Sequence, residues 1–300
     1  MPDAVVLDSK VQNRWHESDE RYVRRAQRAS IDATEWRRSL RQANRGRRGR
    51  PFVLPPTMLD QVRKLVFELR LSFRAAEGHL RRMLSALGMK APDHITIWRR
   101  LASERAAPVV PPRKAIVAVD STGFSTTVRS EWLRDKWRKH RGFVKAHVAI
   151  DVNTLDVLAV VVTDDTVHDA EAFTELVQQV LDHGIVIKRV LADGAYDSRT
   201  NFDLLRAHDI EAGIKVRKNA SMKRLGHTVA RPMAVREHRF LGQWLWERRY
   251  AYSLRWMIEY VFSAVKRTLG GEVRSRDRDL MFLEVQNKFW TWNAMRAEDL

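Results

Sequence analysis

The spacing of apolar positions changes partway along the chain. From Thr57 to Arg70, Met58, Val62, Leu65, Val66 and Leu69 recur at helical spacing. A second helix is predicted from Ser72 to Leu87, with Ser72 as its cap and Gly88 as its stop. A short third helix follows in Pro92 to Leu101, with Asp93 as its cap. Upstream, Trp15 to Gln42 has helix-compatible composition and clustered arginines. Past residue 114 the period shortens. Ala115 to Val119 is an apolar run that stops at Asp120, Phe143 to Val152 alternates like a strand, and Val157 to Thr163 is a third strand. The loop Asn153 to Asp156 would join the last two in an antiparallel meander. Next come a helix from about Ala170 to His183 capped by Asp169, and a strand from Val186 to Ala192 that stops at Asp193. A helix capped by Ser198 runs to His208, and a fifth strand spans Glu211 to Val216. A long helix, Tyr252 to Leu269, ends at Gly270 and Gly271.

Three strands, helix, strand, helix, strand is the order of a ribonuclease H-like mixed sheet, so the fold class is α/β. The expected organisation is a basic helical region at 1–107, a proline-rich linker at 108–114 and a catalytic-type sheet domain at 115–300. Residues 219–251 would be a small insertion before the last helix.

Charge divides at the same place. The 300 residues carry 54 Lys+Arg against 37 Asp+Glu, a net +17. Residues 1–114 hold 25 basic and 12 acidic side chains, while 115–300 hold 29 and 25. The excess points to a polyanion, nucleic acid before an acidic membrane surface. At 44% hydrophobic and 30% charged, the chain can bury cores. It has no cysteine, which excludes disulfide scaffolds, thiol nucleophiles and cysteine-held metals. The opening MPDAVVLDSK does not read as a signal peptide, and the longest apolar run, Val157 to Val162, is too short to span a membrane. The expectation is a soluble cytoplasmic, nucleoid-associated protein.

In the basic half, three helices with a Gly-containing turn before a short Arg-bearing helix match a helix-turn-helix. In that reading His94, Thr96, Arg99 and Arg100 face DNA, and Ile95, Ile97 and Leu101 pack inward. Any small three-helix bundle would look similar. The segment Arg41 to Arg50 holds five arginines and two glycines. It reads either as a flexible basic tether, with Arg47 and Arg48 following a phosphate backbone or entering a minor groove, or as a solvated linker.

Asp120 and Asp193 each follow an apolar strand, where side chains project from a sheet edge. The first and fourth strands would be neighbours, so the two carboxylates converge. A third carboxylate would complete an oxygen-rich site for hard cations such as Mg²⁺. The last helix offers one: at about 100° per residue, Tyr252, Arg255, Glu259 and Lys266 share an arc of about 60° beside the apolar stripe. The plainer reading is an amphipathic helix with ordinary charges on its wet side.

Val119-Asp-Ser-Thr-Gly123, Leu191-Ala-Asp-Gly-Ala-Tyr-Asp197 and Tyr252-x2-Arg255-x3-Glu259-x6-Lys266 resemble the three blocks of prokaryotic insertion-sequence DDE transposases, the last matching the Y-R-E-K signature at every spacing. Lys145 to Asp151 resembles the second-strand block, and His168-Asp169 the loop that follows. The resemblance covers about residues 115–295. It implies Asp120, Asp193 and Glu259 as the catalytic triad, binding two Mg²⁺ or Mn²⁺ for in-line phosphoryl transfer. It also implies phosphate contacts for Arg255 and Tyr252, and a contact of Lys266 with the transposon end. The implied partner is double-stranded DNA, both terminal inverted repeats and target, with a homodimer in the synaptic complex.

Other residues carry plainer readings. His147 reads as a packed or hydrogen-bonded strand histidine rather than a metal neighbour. Asp164, Asp165, His168 and Asp169 read as capping and helix-dipole groups rather than a metal site, and Asp197 with Ser198 as a helix cap. Trp244 and Trp246 would lie on one strand face, as core residues or as a stacking surface for an extruded base. Lys288 to Asn293 reads as a buried helix, and Trp132, Trp137 and the cluster Arg134 to Arg141 as a basic aromatic loop. Two other functions share these features: a ribonuclease H-like nuclease or resolvase, and a domesticated factor that only binds DNA.

Overall fold

The structure is a computed structural model and describes Val23, Gln27 and residues 30–103, 113–126, 143–223 and 229–299. The chain divides into two compact units, Met1–Arg105 and Ala106–Leu300. Most of the predicted Trp15 to Gln42 helix before residue 30, most of the proline-rich linker and the loop with Trp132, Trp137 and Arg134 to Arg141 fall outside the described residues.

The first unit is helical. Helix α1 (Ala33–Asn44) starts at Asp32, whose carboxylate accepts the Thr34 and Glu35 amides. A 3-10 turn at Pro56–Met58 leads into α2 (Leu59–Phe67). Helix α3 (Phe73–Ser85) begins where Ser72 Oγ accepts the Ala75 amide at 3.1 Å, and Gly88 takes the left-handed φ of +65° that turns the chain afterwards. Helix α4 (His94–Ser103) is capped by Asp93, which accepts the Thr96 amide at 2.6 Å. Trp36, Val62, Leu65, Leu80, Ile97 and Leu101 meet in one core. Ile95 does not join them and is 46% exposed, since two residues from Ile97 it points about 200° around the helix. The arginine-rich segment is not a free tether throughout: Arg41 to Asn44 close α1, and the chain beyond bends back so that Asn44 bonds Phe52.

In the second unit, β1 (Lys114–Thr126), β2 (Phe143–Asp151) and β3 (Val157–Asp164) form an antiparallel meander. Then follow α5 (Asp169–Asp182), β4 (Val186–Ala192), a 3-10 turn at Gly194–Tyr196, α6 (Arg199–Ala207) and β5 (Glu211–Ile214). The chain closes with α7 (Ala230–Tyr250), a 3-10 segment Tyr252–Trp256, α8 (Met257–Leu269), β6 (Glu272–Val273) and α9 (Arg278–Asp299). The mixed sheet has the order β3-β2-β1-β4-β5, with β6 paired to β1. Strand β1 pairs in parallel with β4, as β4 does with β5.

Strand alternation sends alternate residues of β1 to opposite cores. Ala118, Val148, Leu191, Val261, Val265 and Phe289 pack with α8 and α9 on one side. Val117, Val119, Ala149, Phe173, Leu176 and Phe202 pack with α5 and α6 on the other. Buried Lys288 on α9 donates to the Gly270 and Glu272 carbonyls, holding the end of α8 to the buried C-terminal helix.

Three expectations are corrected. Strand β1 does not stop at Asp120, because Ser121 to Ser125 continue pairing with His147 to Phe143. The fifth strand ends at Ile214 rather than Val216, where β4 has run out of partners beyond Ala192. The stretch with Trp244 and Trp246 is helical, kinked at Gly242 (φ 70°, ψ 164°). Two residues apart on a helix, the two rings diverge. Trp246 is buried among the His238, Tyr250 and Tyr252 rings, whereas Trp244 is 65% exposed under the Arg248 guanidinium.

Gly213 in β5 packs so closely on β4 that an added Cβ would stand 2.6 Å from Leu191 Cδ2 and 3.1 Å from the Val190 carbonyl. Gly213→Ala is expected to destabilise the second unit by about 1–3 kcal/mol through overpacking. Denaturant unfolding followed by tryptophan fluorescence checks this, and an unchanged midpoint would contradict the packing described.

Candidate active site

The central strand and the 3-10 segment before α8 bring distant residues together. Asp120 sits inside β1, opposite Val148 of β2. The Ser121 amide donates to its Oδ1 at 2.8 Å. Arg255 Nη1 donates to Asp120 Oδ2 at 2.7 Å, and Arg255 Nη2 donates to Glu259 Oε1 at 2.9 Å. One guanidinium therefore links β1 to the first turn of α8.

Asp193 directly follows β4, beside Val119 of β1 through the pairing of Val119 with Ala192. It caps the 3-10 turn, its Oδ1 accepting the Ala195 amide at 2.8 Å. Tyr252 to Trp256 is a 3-10 segment rather than the first turn of a long α-helix, because Ala251 adopts the left-handed conformation (φ 50°, ψ 42°) and breaks the run from α7. Tyr252 is still delivered to the same edge, where its hydroxyl donates to the Ala192 carbonyl at 3.4 Å. Lys266, further along α8, places its ammonium 5.4 Å from the centre of the Phe124 ring.

The electrostatics tie these groups into one field. Burial pushes the Asp120 carboxyl above its ordinary value, and Asp193 and Glu259 add to that, while the Ser121 amide and Arg255 oppose it. Burial, joined by Asp193 and Asp120 and resisted by Arg255, pushes the Tyr252 phenol up to about 12. Burial lowers the Lys266 ammonium. Among the described residues, no three His, Asp or Glu side chains already stand as a metal cage. The donor chemistry of Asp120, Asp193 and Glu259 nevertheless fits a hard divalent cation. All three supply carboxylate oxygens, and two of them now gather around the positive charge of Arg255.

A fourth carboxylate, expected as a capping group, joins this region instead. Asp169 is not the cap of α5 but its first residue, with His168 at the cap position. Its side chain turns to the sheet, 2.7 Å from Lys145 Nζ and 3.2 Å from His147 Nδ1, with Ser121 also bonded to it. His147 is fully buried and holds Thr163 Oγ1 through Nε2 at 3.0 Å, the hydrogen-bonded strand histidine expected. The available signal was the alternation Lys145-x-His147, which puts both side chains on one face of β2, together with the register that sets His147 opposite Ser121. The buried Tyr196 hydroxyl lies in the same field. Burial raises its pKa most, followed by the charges of Asp169, Asp120 and Asp193.

Asp197 is likewise not a cap. Ser198 Oγ alone receives the Asn201 amide, while Asp197 accepts Arg231 Nε at 2.6 Å, Arg231 Nη2 at 2.9 Å and the Arg217 amide at 2.9 Å. Asp164 accepts the Thr166 amide at 3.1 Å and pairs with Arg278. In the first unit, Arg47, Arg48 and Arg99 are exposed, Thr96 is half-buried, and Arg100 stacks 5.0 Å from the centre of the Phe52 ring.

Together the sheet and its edge define an α/β domain with a carboxylate–arginine centre at the junction of β1, β4 and α8. The chain belongs to the transposase DDE domain family, whose model matches residues 111–294. Two solved structures are distantly similar. One is a simian T-cell lymphotropic virus intasome in complex with the PP2A regulatory subunit B56 gamma, at 13% identity and TM-score 0.28, covering 66% of this chain and 65% of that one. The other is the Mos1 transposase paired-end complex with the left transposon end, at 11% identity and TM-score 0.25, covering 99% and 89%. At those scores neither carries an argument about this chain.

The bonds to Asp169 predict a pH dependence. Burial works against its ionised form, but hydrogen bonds from His147, Lys145 and Ser121 and the Lys145 charge hold its pKa well below the carboxylate range. Since the folded pKa is depressed, this stabilisation is present above the unfolded value of about 3.9 and is lost as pH falls toward the folded one. Urea unfolding from about pH 6 down to about pH 3 is expected to show a steeper acid loss in the natural chain than in Asp169→Asn. Parallel curves would contradict the assignment.

Proposed function

We propose that this chain is a DNA transposase of the prokaryotic insertion-sequence, Y-R-E-K type, cutting transposon ends and joining them to target DNA. The observation that carries the reading is Arg255 bridging Asp120, 135 residues away in sequence, to Glu259, with Asp193 close enough to raise the Asp120 pKa. The sheet order supports a ribonuclease H-like catalytic domain.

In this reading Asp120, Asp193 and Glu259 hold two Mg²⁺ or Mn²⁺ ions. Bound there, the ions would supply Lewis acidity for in-line phosphoryl transfer. Arg255 offers its planar fork to a phosphate beside the scissile bond. Tyr252, whose phenol stays protonated at neutral pH, donates a hydrogen bond to a phosphate oxygen at the same edge. Lys266 contacts the transposon end.

The helical first unit serves as the DNA-binding region. Helices α3 and α4 form the helix-turn-helix, with Thr96, Arg99, Arg100, Arg47 and Arg48 toward duplex DNA. Double-stranded DNA is the partner, as ends and as target, and two copies pair the ends in a synaptic dimer. No helix among the described residues is long and apolar enough to cross a membrane, and the place of action is the cytoplasm at the nucleoid.

The test incubates the purified full chain with Mg²⁺ and labelled duplex carrying the ends of its element. Joined products support a transposase, cleavage alone a nuclease, and binding alone a DNA-binding factor. Glu259→Gln is expected to abolish cleavage and joining while leaving duplex binding in EDTA unchanged. Cleavage retained in that variant would overturn the triad.

A further inference from the structure

The arginine-rich segment after α1 is shaped by contacts that its composition does not announce. Asn44 Nδ2 donates to the Phe52 carbonyl at 3.0 Å, and the Phe52 amide donates to Asn44 Oδ1 at 2.7 Å. One side chain thus pairs with both backbone groups of Phe52, as a neighbouring strand would, and closes the loop between them. Inside, the Arg47 amide donates to the Asn44 carbonyl at 3.3 Å, and Arg47 Nε donates to the Arg50 carbonyl at 3.4 Å. Gly46 (φ +69°) and Gly49 (φ +94°) supply the left-handed turns that fold it.

Phe52 then couples this loop to α4. The Arg47 guanidinium lies 3.6 Å from the centre of its ring, and Arg100 of α4 lies 5.0 Å from the same centre. Phe52 therefore sets the loop beside the last turn of α4. The charge of Arg50 also reaches Asp93 at the helix cap, whose carboxyl is held down chiefly by the Thr96 amide. From Arg41 to Phe52 the chain has no acidic residue, and Arg45, Arg47, Arg48, Arg50 and Arg99 are exposed.

We propose that residues 45–50 and helix α4 form one preformed surface for the phosphate backbone of duplex DNA, held in shape by Asn44 and Phe52. This rests on the DNA-binding part of the function proposed above. A stacked guanidinium keeps its N–H edge for phosphate, and a loop ordered before binding loses less conformational entropy on the DNA than a tether does. Phosphate contacts of this kind set affinity and register rather than sequence preference.

Two of the test's variants keep every arginine in place, and a third removes one. Binding of the full chain to a fluorescein-labelled duplex is measured by anisotropy in EDTA across a salt series. Asn44→Ala removes the closing bonds. Gly49→Ala strains the turn, although its added Cβ would meet nothing within 4 Å. Each is expected to weaken duplex binding about fivefold to tenfold, the cost of ordering a few side chains anew. Circular dichroism should show the helices intact, and limited proteolysis should show faster cutting within 45–50. Arg48→Ala is expected to lower the salt slope by about 1. If both charge-neutral variants bind like the natural chain while Arg48→Ala weakens it, the segment is a tether and the proposal fails. An equal loss on a single-stranded oligonucleotide would overturn the choice of duplex. Failure of the natural chain to bind any duplex would overturn the transposase reading itself, so the two failures are distinct.

Discussion

Strand β1 is the constraint on which the second unit depends. It pairs with β2 on one side and with β4 on the other, and its far end also takes β6. Its alternating side chains serve both cores. A strand used on both edges and both faces has little freedom to slip, because a one-residue shift would exchange its two faces. Asp120 inherits that rigidity. Its carboxylate is placed by a backbone that the whole domain holds, which is the support a charged group needs when it must meet partners from distant parts of the chain.

The price of that placement is electrostatic. Asp120 is partly withdrawn from water beside two other acids, and its proton affinity rises accordingly. Arg255 offsets the crowding by bonding to Asp120 and Glu259 together. The guanidinium thus balances two of the acids gathered at the centre. Beneath it, Lys145 and His147 bond Asp169, which extends the polar network from β1 through β2 to the start of α5.

Much of this was readable in the residues. The strand order followed from alternation and turn signals, and Ser72, Asp93 and Ser198 cap the helices they were expected to cap. Asp120 could be singled out because it follows an apolar run, and Glu259 because helical spacing marked the wet side of α8. Two of the misses share one cause: local rules were overruled by partners far along the chain. Asp169 and Asp197 precede helices and look like caps, yet each is drawn away by cations, Lys145 in one case and Arg231 in the other. Trp244 and Trp246 have strand spacing, but the chain around them is helical and separates them. Ala251 in the left-handed region could not be foreseen from an alanine, which rarely adopts it.

The bond between Asp197 and Arg231 has a mechanical consequence. Asp197 ends the short turn that Asp193 caps, and Arg231 lies at the beginning of α7. Beyond the kink at Gly242, α7 runs on to Tyr250 and joins the Tyr252 segment through Ala251. One stretch of chain therefore connects the acidic corner of the centre to the arginine-bearing corner, as two helical pieces hinged at a glycine and not as a continuous rod.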